Sequence, residues 1–167
     1  AIWIAREYSS INGDSPDATM VKNLLHLYWR MVRGLTLGVR AAVLDADGNV
    51  LLVRHGYARG WHLPGGGVEP GESILDALAR ELMEEGNVTL TGAPQLHGVF
   101  QNLHASRRDH VAVYVVRAFE WKGPPKPNLE IREAGFFPLD RVPEETTAGT
   151  RRRIEEIVRG TPPAATW

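Results

Sequence analysis

Residues 63–88 read LPGGGVEPGESILDALARELMEEGNV, a glycine-rich run followed by apolar and charged residues at helical spacing. We expect a loop that leads into a helix from about Ser73 to Glu85. Successive helical residues are rotated by about 100°, which places Glu81, Glu84 and Glu85 on one stripe. Three like charges at this spacing repel one another unless a cation lies between them. The stripe is therefore a candidate site for a hard divalent ion such as Mg²⁺.

A solvated acidic helix face is the alternative interpretation, because Arg80 can pair with Glu84 four residues later. Four glycines between positions 65 and 71 argue against it, since a solvated face does not require them. Such glycines let backbone atoms approach a ligand or a metal closely. Other glycine loops do not fit: the lysine of a P-loop is missing, and Pro70 stands where a dinucleotide fingerprint needs glycine.

The rest of the chain alternates between strand and helix patterns. The turn residues Asp45–Asn49 predict a hairpin between the first two strands, and three prolines within 121–128 predict a loop. Arg151–Arg153 is interpreted as helix surface. This alternation predicts an α/β fold, an α/β/α sandwich around a mixed β-sheet. The predicted strands are 37–44, 50–54, 96–100, 110–119 and a short one at 136–137, and the predicted helices are 19–33, 73–85 and 150–159.

Composition excludes several classes of protein. A length of 167 residues fits one domain, which we expect over 19–160, between an extension at 1–18 without periodicity and a tail at 161–167. No apolar run reaches the roughly 18 residues of a membrane span. The absence of cysteine excludes disulfides and suits the cytoplasm. Nineteen basic and twenty acidic side chains give a net charge of -1, so no stable nucleic-acid complex is expected.

Gly66, Glu72 and the run Arg80–Val88 resemble the Nudix box, Gly-x5-Glu-x7-Arg-Glu-apolar-x-Glu-Glu-x-Gly-apolar, at eight of its nine restricted positions. The departure is Asn87, where the family has glycine. Asparagine tolerates the left-handed conformation that ends many helices, so we expect it to close this helix without affecting the carboxylates. The resemblance covers about 120 residues, including 37–85 and 130–139, and it implies the Nudix fold.

The resemblance also implies a Mg²⁺-dependent pyrophosphohydrolase, with Mn²⁺ as a substitute ion. Such an enzyme cleaves a nucleoside diphosphate linked to another group, by attack of water on phosphorus. Its metal ligands would be Glu81, Glu84, Glu85 and the carbonyl of Gly66. Glu81 is the favoured general base, and the alternatives are Glu130 and Glu133. Arg80 and Glu72 are expected to form an ion pair that orients the ligands.

The sequence says less about the identity of the substrate than about the type of reaction. Tyr57, Trp61 and Phe100 either stack on a base or pack in the protein. Arginines either contact phosphate or form solvated surface; the candidates are Arg54, Arg59, Arg107 and Arg108. The alternative function is a Nudix-fold domain that binds a nucleotide without cleaving it, which the complete set of box carboxylates disfavours. The apolar helix at Met20–Val32 makes a homodimer a further expectation.

Overall fold

The computed structural model describes residues 24, 25, 27–29 and 34–167, and the chain divides into two compact units, Ala1–Leu35 and Thr36–Trp167. In the first unit, residues 24, 25 and 27–29 are helical, as predicted for those positions. The other positions of the predicted helix at 19–33, and the extension at 1–18, lie outside the described residues. Within the described part of the chain, no helix is both long enough and apolar enough to cross a membrane.

The second unit contains seven strands and two helices. The single strand predicted at 110–119 is divided in two, and the predicted short strand at 136–137 is part of a longer one. The loop predicted at 121–128 is largely correct, although its first residue ends a strand. The strands are β1 (Thr36–Val43), β2 (Asn49–His55), β3 (Val88–Leu90), β4 (Gln95–Gln101), β5 (Asp109–Val116), β6 (Phe119–Trp121) and β7 (Ile131–Pro138), and the helices are α1 (Ile74–Gly86) and α2 (Ala148–Arg159).

Strand pairing is mixed, as expected. β5 lies between β1, which is parallel to it, and β4, which is antiparallel to it. β2 pairs with β7 and β3 pairs with β6, both antiparallel. The predicted hairpin of β1 and β2 is wrong, because only Leu44 and Val50 form a bridge between these two segments. The predicted tight turn does form: Asp45 Oδ1 accepts hydrogen bonds from the amides of Asp47 (3.0 Å) and Asn49 (2.8 Å). Beyond it each strand finds a different partner.

Side chains of β1 alternate between two hydrophobic cores. Val39, Ala41 and Val43 pack in the core that contains Leu78 and Leu82 of α1. Ala42 lies in the other core, which contains Ile154 of α2. The strands therefore lie between a layer with α1 and a layer with α2, which confirms the α/β/α sandwich.

Candidate active site

Helix α1 has defined ends that fix the position of its carboxylates. Ser73 caps its first turn by accepting a hydrogen bond from the Asp76 amide at 3.1 Å. At the other end Asn87 adopts the left-handed conformation, with φ 53° and ψ 36°, and its amide donates to the carbonyls of Leu82 and Met83. The expectation that asparagine closes this helix is confirmed.

The glycine loop runs along β1 and carries the backbone to α1. The amide of Val39 donates to the carbonyl of Gly66 at 2.9 Å, and the amide of Val68 donates to Leu37 at 2.9 Å. Gly65 has φ +139°, and a Cβ atom there would lie 2.1 Å from the carbonyl oxygen of Val39. Only a residue without a side chain allows this approach, so the loop can lie directly over the carboxylates of α1.

Glu85 is the most enclosed carboxylate of the helix, with 2% of its surface exposed. Its Oε2 accepts a hydrogen bond from the Gly65 amide at 2.7 Å. Burial raises the pKa of Glu85 to about 7, against the opposing effects of that hydrogen bond and of the charge on Arg40. A nearby cation would stabilise the ionised form of this carboxylate, which burial disfavours.

Two residues beside Glu85 were not among the sequence-based candidates. His55, at the end of β2, places Nδ1 3.5 Å from Glu85 Oε1, and burial together with the charge on Arg40 lowers the pKa of His55 to about 4. Its imidazole is therefore neutral at pH 7, and neither ring nitrogen has a hydrogen-bond partner among the described residues. Arg40 donates to the Leu63 carbonyl at 2.5 Å. Neither residue belongs to a recognisable local motif, so no sequence signal could have identified them.

Arg80 connects the loop to the acidic stripe. Its guanidinium donates to both oxygens of Glu72 at 3.0 Å, so the expected ion pair is present. It also donates to Glu81 Oε1 at 2.7 Å and to the Gly67 carbonyl at 3.1 Å. Glu84 Oε2 lies 3.5 Å from the same guanidinium, on a mostly exposed side chain. Arg80 thus partly offsets the repulsion along the stripe.

The donor atoms of the acidic stripe and the glycine loop are of the chemical type that binds a hard divalent cation. The stripe and the loop offer only oxygen ligands, which Mg²⁺ prefers. Within residues 34–167, however, no three His, Asp or Glu side chains already converge on one point. Glu81 and Glu84 share Arg80, Glu85 is bonded to Gly65, and the Gly66 carbonyl already accepts from Val39 through one of its two lone pairs. Binding of a cation would require these carboxylates to exchange protein donors for the ion.

A cleft of about 860 Å³ opens beside the loop. Gly66 and Gly67 form one wall, and Gly66 lies so close to Glu81 that an added Cβ would be 2.3 Å from its Oε1. The cleft therefore begins next to the acidic stripe. Its other walls come from β1, from the segment between β4 and β5, from the start of α2, and from Trp167.

A second cleft, of about 540 Å³, is lined by three arginines and contains three of the candidate binding residues, Arg54, Tyr57 and Arg59. Tyr57 lines it with 73% of its surface exposed, and its ring centroid is 5.0 Å from that of His55. Arg54 also lines it, but its guanidinium is 3.6 Å from Glu133 and 3.6 Å from Glu145. Arg59 and Arg132 complete the basic lining.

Of the two alternatives for Phe100 and Trp61, stacking on a base or packing in the protein, the structure shows packing. Phe100 is completely buried, and the guanidinium of Arg153 covers its ring at 4.0 Å. Trp61 is also buried and packs edge-on against Phe137, with ring centroids 4.8 Å apart. Arg153 itself is fully buried, so the interpretation of Arg151–Arg153 as helix surface is wrong at that position. Helical spacing cannot show that an arginine is covered by a segment from elsewhere in the chain.

The two alternative bases lie in different places. The negative charge on Glu130 contributes to the raised pKa of Glu85, so Glu130 lies within electrostatic range of the site. Glu133 is opposite Arg54 in the β2–β7 pairing and its carboxylate lies 3.6 Å from that guanidinium.

Comparisons with known proteins agree with this geometry. The profile of the NUDIX domain matches residues 34–157. An ADP-ribose pyrophosphatase of Methanocaldococcus jannaschii is 30% identical over 105 residues, which are 61% of this chain and 62% of that protein. A Bacillus subtilis protein provisionally named as an 8-oxo-dGTP diphosphatase is 34% identical over 127 residues, 75% of this chain and 81% of that protein.

Among solved structures, a MutT NUDIX hydrolase of Burkholderia pseudomallei superimposes with a TM-score of 0.63 at 29% identity. The superposition covers 73% of this chain and 97% of that one. The chain spans less than two thirds of the length of several curated relatives, among them the archaeal pyrophosphatase.

Proposed function

Because the chain belongs to the Nudix hydrolase family, we propose that it is a Mg²⁺-dependent pyrophosphohydrolase that cleaves a nucleoside diphosphate linked to another group. The observation that carries this proposal is the placement of Glu81 and Glu85: both are buried on one face of α1 against the glycine loop, and Gly66 of that loop lines the large cleft. Members of the family use divalent metal ions, and Mn²⁺ is the expected substitute.

Glu81, Glu84 and Glu85 would hold the ion, with the Gly66 carbonyl as a further oxygen donor. When bound, the ion neutralises phosphate oxygens and makes a water molecule a better nucleophile. Arg80 keeps Glu81 and Glu72 in fixed positions, and its bond to Gly67 ties the loop to the helix. The nucleoside half of the substrate would lie in the large cleft, and its phosphates would reach the carboxylates past Gly66.

We keep Glu81 as the proposed general base, because it lies nearest to Gly66 at the mouth of the cleft. Glu130 is the alternative, since its charge already acts on Glu85. Glu133 is less suited, because Arg54 engages its carboxylate. Among the binding candidates, Arg54 and Tyr57 would act through the second cleft, with Arg59 beside them.

The test is a release assay that follows the nucleoside monophosphate product, run against nucleoside triphosphates, ADP-ribose, nucleotide sugars and dinucleoside polyphosphates. We expect turnover of at least one compound with Mg²⁺ and none in excess chelator. Glu85→Gln should lose activity to a small fraction of wild type while keeping its thermal unfolding transition, and the exposed Glu155→Gln is the matched control. Nucleotide binding without turnover of any compound would instead support the domain that binds without cleaving.

Localisation and assembly are predictions from the sequence. We propose a cytoplasmic protein, because cysteine is absent, and a homodimer through the apolar helix at Met20–Val32. Light scattering of the full chain tests the dimer, and a monomer would refute it.

A further inference from the structure

The segment 164–167, which we call the tail strand, was predicted to lie outside the domain, yet it pairs with β4. The Gln101 amide donates to the Ala165 carbonyl at 3.0 Å, and the Trp167 amide donates to the Gln101 carbonyl at 3.0 Å. These two bonds form a parallel bridge between Gln101 and Thr166. The tail strand therefore lies beside β4 as an added backbone strand.

Buried side chains of α2 hold the tail strand in place. The guanidinium of Arg153 donates to the Thr166 carbonyl at 3.0 Å and to Glu156 Oε1 at 2.6 Å. The same Glu156 oxygen accepts from the Ala164 amide at 3.2 Å. Arg152 adds a hydrogen bond to the backbone oxygen of Trp167 at 2.6 Å. A fully buried arginine used in this way makes the tail strand part of the packed unit.

The ring of Trp167 lies where α2 has no side chain. A Cβ atom at Gly149 would be 2.2 Å from the Nε1 atom of Trp167, so the indole rests directly on the helix backbone. Phe100 contacts it edge-on, with centroids 6.1 Å apart, and the Arg153 guanidinium is 5.7 Å from its ring. The indole is thus held by contacts from two elements, α2 and β4, although it is only partly buried.

Trp167 also lines the large cleft, as do Gly66 and Gly67 of the glycine loop. It is the only Phe, Tyr or Trp among the residues of the described chain that line this cleft. Proteins commonly bind a nucleobase on an aromatic ring, because every base has a π-face that can stack on it. Of the three aromatic residues chosen from the sequence, two are buried and Tyr57 lies in the other cleft.

We propose that Trp167, held by the tail strand, is the residue that binds the base of the substrate in the large cleft. This inference rests on the proposed function, since it takes the substrate to be a nucleotide. Trp167 would raise affinity for any base by stacking, and it would not take part in the hydrolytic step. Gly149 and Arg153 are positioning residues, because each lies against the indole of Trp167.

The experiment is titration calorimetry of the full chain with Mg²⁺, using ADP, GDP, CDP, UDP and inorganic pyrophosphate as probes. Base stacking on an aromatic ring corresponds to a loss of about 5- to 150-fold in affinity when the ring is removed. We expect Trp167→Ala to weaken the tightest nucleoside diphosphate by that factor and to leave pyrophosphate binding unchanged. In hydrolysis, KM should rise while kcat stays close to wild type.

Two further variants keep the inference testable if Trp167→Ala unfolds. Trp167→Phe should retain nucleotide binding, because a ring remains. Gly149→Ala should weaken it, because its Cβ displaces the indole without removing it. Nucleotide binding by Trp167→Ala equal to wild type, or an equal loss of pyrophosphate binding, would overturn the inference alone. A wild-type chain that binds pyrophosphate but none of the four nucleotides would overturn the proposed function as well.

Discussion

Glu81 and the backbone of Gly66 are in such close contact that the glycine sets where the carboxylate can lie. A Cβ atom at Gly66 would clash with the carboxylate of Glu81, whereas a Cβ atom at the neighbouring Gly67 would have no atom within 4 Å. Substitutions at these two positions therefore distinguish a change in the loop itself from a change in the contact between the loop and the helix.

Gly66→Ala should leave the fold intact, because the group it meets is a flexible carboxylate, but it should displace Glu81. A displacement of about 1 Å can cost roughly 100-fold in rate, and we expect a loss of Mg²⁺-dependent hydrolysis of that order. The matched variant Gly67→Ala should show a far smaller loss. Equal activity of the two variants in the release assay would contradict the role given to Gly66.

Asn87 is the only residue other than glycine with a positive φ in the described part of the chain. A left-handed conformation costs an alanine roughly 1–2 kcal/mol. We therefore expect Asn87→Ala to lower the free energy of unfolding in urea by about that amount. Asn87→Gly should lose less, since glycine has no Cβ and gives up only the amide contact to the Gly123 carbonyl. An alanine variant as stable as wild type would refute this assignment.

At the residue scale the sequence predicted what lies within one helix and its preceding loop. The ion pair of Arg80 with Glu72 and the closing role of Asn87 were implied by the resemblance to the Nudix box, and both are present. His55 and Trp167 were missed, because each reaches its position through strand pairing far along the chain. For Phe100 the sequence left stacking and packing open, because composition does not reveal which aromatic rings are covered.

One carboxylate of α2 takes part in the attachment of the tail strand. Glu156 Oε1 accepts from Arg153 and Ala164, and Oε2 lies 3.0 Å from His97 Nε2. Burial alone would raise the pKa of Glu156, but these hydrogen bonds and the Arg153 charge outweigh it and lower the pKa. Because the folded pKa lies below the unfolded one, the carboxylate stabilises the fold above pH 4.5 and loses this effect as the pH falls through its folded pKa.

Lowering the pH should therefore weaken the attachment of the tail strand to α2. We expect the difference in unfolding free energy between wild type and Glu156→Gln to be constant near neutral pH and to shrink below about pH 4.5. Urea denaturation between neutral pH and about pH 3 measures it. The exposed Glu155→Gln serves as control and should show no such trend. A difference that stays the same across this range would show that the Glu156 charge has no part in the attachment.

At the scale of elements, local sequence patterns predicted helix α1 and the turn after Leu44, but they did not predict how the strands pair. Asp45 and Asn49 form the turn, but the ladder that a hairpin would make is replaced by β1 with β5 and β2 with β7. A turn determines the direction of the chain, whereas the burial of both faces of β1 determines its neighbour. That burial depends on α1 and α2 together.

At the scale of the whole molecule, the two hydrophobic cores and the two clefts described above lie within the unit Thr36–Trp167. All side chains assigned to catalysis and binding also belong to this unit. A chain of residues 34–167 should therefore fold cooperatively and hydrolyse the same substrate as the full chain at nearly the same rate. Thermal unfolding and the release assay test this, and an unfolded or inactive product would show that residues 1–33 contribute to the fold or the site.

The parallel pairing of β1 with β5 joins residues that are 73 positions apart, as in the hydrogen bond from Thr36 Oγ1 to Asp109 Oδ1 at 2.6 Å. The glycine loop and α1 both lie inside the long loop that this pairing closes. Closing such a loop costs chain entropy before it gains contacts, which slows folding. The carboxylates can consequently meet the cleft only after the sheet has closed, so the site forms late, with the completed fold.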